Sequence, residues 1–148
     1  MPEHDEVLLI IQQWVQKVEN DLQTAAYMLQ LGEDCPTDIV CFHAQQCVEK
    51  YIKALLVFHE IEFPWTHNLG VLTALLPQAV QPQLSPEEQE LLTDYATTVR
   101  YLGDYELIPL PEARRAIRLA RQVRQAIRKQ LPRRATRRLS PQGRRGQK

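Results

Sequence analysis

No apolar run in this chain approaches the roughly 20 residues that a helix needs to span a bilayer. The N-terminal Met1-Pro2-Glu3-His4-Asp5-Glu6 is acidic where a secretory signal is basic. A cytoplasmic protein with no membrane contact is therefore expected. Cysteine is scarce: Cys35, Cys41 and Cys47 are odd in number and six residues apart, which fits neither a disulfide framework nor zinc-ligand spacing. They read as reduced thiols, with Cys47 in the core. A Gly-rich phosphate loop, His-Glu-x-x-His and Gly-x-Ser-x-Gly are all missing, so neither a cofactor nor a metal is expected. Histidine is absent after His67, and apolar residues alternate nowhere for long, which leaves little room for strands.

What is present is helical periodicity in a chain of 148 residues, 44% of them apolar, enough for one sizeable core. The fold class is read as all-α, an antiparallel up-and-down bundle of about five helices over residues 5–131. The first helix, Asp5 to Leu31, carries Ile11, Val15, Val18, Leu22, Ala25 and Leu29 at spacings of three and four, with Gly32 as the stop. The second starts with Thr37 or Asp38 as N-cap and runs to about His59. The third begins near Thr66 as cap, with His67 supporting the turn, and ends around Pro77. Ser85, Pro86 and Glu88 form a capping box that opens the fourth, whose buried stripe is Leu91, Leu92, Tyr95 and Val99, and Gly103 is placed to end it. Its Glu87, Glu88 and Glu90 suit the helix dipole and receive no acid or base role. The fifth opens at Pro111-Glu112, with an apolar face of Ala116, Leu119, Ala120, Val123, Ala126 and Ile127 opposite a row of arginines. Residues 132–148 are poor in apolar side chains and read as a disordered Arg-rich tail, whose deletion from Arg133 to Lys148 should leave the melting temperature unchanged.

The formal net charge of zero conceals a segregation: residues 1–110 carry 17 acidic and 4 basic side chains, residues 111–148 carry 1 acidic and 14 basic. The basic part either serves a nucleic acid, adding salt-sensitive affinity, or neutralises the acidic body.

The second helix is the most informative stretch. Ala44, Cys47, Val48, Tyr51, Ile52, Ala54, Leu55 and Phe58 fall within an arc of roughly 160° and must be buried. The opposite side gathers His43, Gln45, Gln46, Glu49, Lys50 and Lys53, either a solvated face or the wall of a polar cleft. His43, Gln46 and Lys50 share one stripe of it. Arg100 in the last turn of the fourth helix either serves the helix terminus and Asp104 or recognises phosphate, for which its planar fork of donors is suited. Tyr101 and Tyr105 beside it are placed to stack on a base.

Three segments in order, Phe42 to Leu56, then Phe63-Pro64-Trp65-Thr66-His67-Asn68-Leu69, then Arg100-Tyr101-Leu102-Gly103-Asp104-Tyr105, resemble the HEPN domain family in its short single-domain branch, over about Trp14 to Leu131. The resemblance implies a homodimer and a nucleotide- or RNA-binding role, with Arg100, Tyr101, His43, Gln46, Lys50 and Lys53 as binding residues. It further implies a toxin-like component of a two-gene module whose partner is a minimal nucleotidyltransferase, with Tyr105 or Tyr101 as candidate adenylylation target. In HEPN ribonucleases the arginine is followed four to six residues later by histidine. Here Arg100 and Tyr105 occupy those catalytic positions, and a tyrosine with an ordinary pKa of about 10 is a poor general base at neutrality. Cleavage of RNA without metal would then need an unconventional base, His67 or His43, and a non-catalytic partner-binding bundle is the third reading.

Overall fold

The computed structural model of the chain describes residues 4–97 and 107–139. Arg100, Tyr101, Asp104 and Tyr105, with Val99 and the proposed stop at Gly103, lie outside the described residues. The described residues form helices α1 (His4–Met28), α2 (Thr37–Phe58), α3 (Leu69–Leu75), α4 (Pro86–Thr97), α5 (Leu110–Arg128) and α6 (Arg133–Thr136), and no strand occurs among them. The all-α bundle expected from periodicity is the architecture found, with short 3₁₀ turns at Leu29–Asp34 and Gln78–Val80 and a short sixth helix added.

Helix α2 lies at the centre, packed against α1, α3, α4 and α5. Its residues 51–56 are buried without interruption, so almost its whole circumference is covered. From α1, Ile11, Val15, Val18, Leu22 and Ala25 meet it. Ala113, Ala116, Ile117, Ala120, Val123 and Ile127 of α5 close the other side, while Ala126 is only half-buried. Each fully buried aliphatic side chain contributes about 1.5–3 kcal/mol, which makes α2 the element that organises the domain. The cysteines are free thiols, Cys41 and Cys47 both buried; desolvation pushes Cys41 up to about 11.

The turns explain how the chain comes back to α2. Gly32 has φ of 59°, a conformation that side chains resist, and kinks the connection after α1. At the end of α2 the amides of Glu60 and Ile61 donate to the carbonyls of Val57 and Leu56 at 3.0 and 2.9 Å. This is a Schellman closure, with Glu60 at φ 58° in the place where glycine is usual. It reverses the chain and lays residues 61–67 back along the helix they have just left. The capping box at α4 forms as read: Ser85 N donates to Glu88 Oε1 at 2.9 Å and Glu88 N to Ser85 Oγ at 3.1 Å.

Three readings are corrected. The N-cap of α2 is Pro36, without a side-chain bond; its carbonyl takes the first amides, and Thr37 is buried within the first turn. The N-cap of α3 is Asn68, whose Oδ1 accepts from Val71 N at 3.0 Å, while Thr66 Oγ1 only accepts from Asn68 N at 3.1 Å. The disorder expected from residue 132 onward is not found over Arg133–Thr136. Ala135 anchors that segment, being fully buried, and α1 binds the backbone around it through Gln12 Nε2 to Arg137 O at 3.0 Å and Leu139 N to Gln16 Oε1 at 2.7 Å. Arg134 pairs with Asp5 at 2.8 Å. Deleting Arg133 to Lys148 is therefore expected to destabilise the domain by about 1–3 kcal/mol, seen as a lower melting temperature by circular dichroism. An unchanged melting temperature would show that α6 contributes nothing.

Candidate functional site

On α2, Gln45, Glu49 and Lys53 follow one another at intervals of four and stand above one another on one face. They are buried, with Gln45 at 0%, Glu49 at 2% and Lys53 at 8% exposure. A buried carboxylate must find donors or lose its charge, and Glu49 finds three. Gln45 Nε2 donates to its Oε1 at 3.0 Å, Lys53 Nζ to its Oε2 at 3.2 Å, and His67 Nδ1 lies 2.7 Å from Oε1. Gln46 Nε2 extends the chain by donating to Gln45 Oε1 at 2.7 Å. Burial pushes the Glu49 carboxyl upward, but the bonds from His67, Gln45 and Lys53 outweigh it and hold the group below the usual carboxylate range.

The returning segment supplies the roof. Lys53 Nζ lies 5.8 Å from the Phe63 ring centre and 5.4 Å from that of Trp65, a distance at which a cation is attracted to an aromatic face. Trp65 is 93% exposed, an unusual position for the largest apolar side chain. His67, on the same segment, keeps 46% of its side chain exposed while its Nδ1 rests on Glu49. With Glu49 ionised, Nδ1–H is the donor to it, which fixes the imidazole in one orientation. A nearly buried ammonium thus lies beside an exposed indole, and a half-exposed imidazole is anchored on the same carboxylate: groups able to bind an anion, stack a base and hold a proton.

Of the residues read from sequence, the structure brings Gln46 and Lys53 into this network through Gln45 and Glu49. His43 and Lys50 are half-buried on α2 and take no part in it; His43 Nδ1 is buried without a hydrogen-bond partner among the described residues, its ring edge-on to Phe42. The polar-strip reading gives Glu49 and Gln45 no role of their own, and His67 is read from sequence as a support of the turn and as one of two substitute bases, not as a partner of Glu49. The signal that marks them is the Gln45-Glu49-Lys53 spacing, with the acid four residues before the base. Among the described residues no three His, Cys, Asp or Glu side chains converge as metal ligands.

The family model described as HEPN domain matches residues 11–130. Neither a curated protein nor a solved structure shows a match to the chain.

Proposed function

Because this chain belongs to the HEPN family, whose members share a nucleotide- or RNA-related function, we propose that it binds a nucleotide or RNA over Lys53, His67 and Trp65, with Arg100 and Tyr101 completing the site and Gln46, Lys50 and His43 lining its flank. The observation that carries this reading is Glu49, a buried charge that holds its donors Lys53 and His67 beside an exposed tryptophan. The protein acts as a homodimer and as the toxin-like member of a pair with a minimal nucleotidyltransferase, which modifies Tyr105 or Tyr101. The 93% exposure of Trp65 and the 42–50% exposure of Phe42, Ile10 and Leu9 support a further partner surface.

A second reading, ribonuclease, is favoured by the 2.7 Å contact of His67 with Glu49. An imidazole so oriented takes the proton of a ribose 2′-hydroxyl at Nε2 while the 2′-oxygen attacks phosphorus, the 5′-oxygen leaves, and a 2′,3′-cyclic phosphate remains; Arg100 would stabilise the crowded phosphorane. The two readings separate in one experiment. RNA at saturating protein in EDTA, followed by gel, should be bound and cleaved very slowly. Efficient cleavage, lost in His67→Ala with the fold intact, would establish the second reading over the first.

A further inference from the structure

On the side of α2 away from Glu49, the Tyr51 hydroxyl donates to Glu19 of α1 at 2.9 Å. Tyr51 is two residues from both Glu49 and Lys53, so it points roughly 160° away around the helix axis. Glu19 also receives Arg124 Nε at 2.7 and 2.8 Å and Arg128 Nη1 at 2.6 Å. One carboxylate thus holds two guanidinium groups of α5, and Arg128 is fixed from its far side by Nη2 donating to Thr136 O at 3.2 Å.

Glu19, Arg124, Arg128 and Thr136 line an open groove of about 780 Å³ between α1, α5 and the chain from the end of α6 onward. Its walls carry five arginines, at positions 121, 124, 128, 137 and 138, against the single carboxylate of Glu19. Arg121, Arg124 and Arg128 face it together because intervals of three and four share one helix stripe. Among the described residues Arg121, Arg137 and Arg138 have no carboxylate within ion-pair distance. Half of the remaining lining is side-chain amides, and Tyr27, 63% exposed, stands at the α1 wall.

We propose that this groove is a second binding site, distinct from the one over Lys53, and that it takes the phosphate of a nucleotide, free or as a unit of single-stranded RNA. Arginine forks match phosphate oxygens in geometry and keep their charge at any working pH. Glu19 satisfies Arg124 and Arg128 without cancelling them and so pre-aligns them, while the exposed Arg121 and Arg138 close on the ligand. Tyr27 offers a face to the base and the amides offer both donors and acceptors to its edge. The volume suits a nucleotide, since ligand pockets span about 300–1,000 Å³.

The test uses the full chain, with anisotropy of a labelled short single-stranded RNA and calorimetry of ATP as its two arms. Arg121→Ala/Arg138→Ala should weaken binding roughly tenfold or more, Tyr27→Ala less, with melting temperatures unchanged because all three side chains are exposed. Arg114→Ala/Arg118→Ala removes the same charge from exposed positions of α5 outside the groove and should leave binding as it was. Loss in both arms assigns the groove to nucleotides of either source; loss in one arm alone identifies the source. Equal loss in the control pair, equal binding of a poly-glutamate peptide, or no loss at all would overturn the proposal. The groove variants should still respond at Trp65, so failure here is distinguishable from failure of the site over Lys53.

Discussion

Glu49→Ala is expected to be the most damaging single substitution in α2 that removes no apolar surface. It strips the acceptor from Lys53 and His67 and leaves a nearly buried ammonium and the Gln45 amide without their partner. Breaking a buried pair by removing one member costs about 3–5 kcal/mol, which for a domain of this size lowers the melting temperature by roughly 10–20 °C. Glu49→Gln keeps the shape and loses less. The pH dependence has a definite sign. The folded Glu49 carboxyl titrates below its ordinary value, so its stabilising contribution is present above the unfolded value of about 4.3 and is lost as pH falls through the lower folded value. Urea unfolding between pH 3 and pH 7 should therefore show a steeper acid-side loss for the unmodified protein than for Glu49→Gln. Identical slopes would mean that the carboxyl is not held ionised.

Much of the bundle is legible in sequence, because its elements are local. The spacing of Ile11, Val15, Val18 and Leu22 defines the inner face of α1 without reference to any other helix. Ser85, Pro86 and Glu88 place the start of α4, since a capping box satisfies its own amides. The site is less legible for a physical reason. Periodicity tells which face of α2 is apolar but not that the polar face will also be covered. That cover is made by the chain turning back after Phe58, through a closure in which Glu60 stands where glycine would announce the turn. Glu49 and Lys53 consequently look like surface residues until Phe63, Trp65 and His67 are laid against them. The tail misleads in the opposite way. Its composition cannot support a core of its own, yet one alanine inserted beside α1, with Gln12 and Gln16 serving the backbone, orders Arg133–Thr136. The Arg100 segment, the most explicit sequence motif, lies outside the described residues, and its role remains a proposal read from the chemistry of its side chains.

RNA affinity should depend strongly on Lys53 of α2 and on Arg100, the two cations we propose to bind phosphate. Arg100→Ala, which removes a phosphate fork, and Lys53→Met, which keeps the stem and deletes the charge, should each weaken binding about tenfold to a hundredfold, as expected for charge-assisted bonds worth about 1.5–3 kcal/mol. Trp65 gives the direct readout. The chain has 2 tryptophans, so in a Trp14→Phe variant all indole emission comes from Trp65, 93% exposed and 5.4 Å from the Lys53 ammonium. Titration with single-stranded RNA should quench that emission in a saturable way, with the midpoint shifted to higher RNA concentration by Lys53→Met and by Arg100→Ala at a temperature where each variant is folded. RNA that binds while the Trp65 emission and the Lys53→Met midpoint stay unchanged would contradict the site.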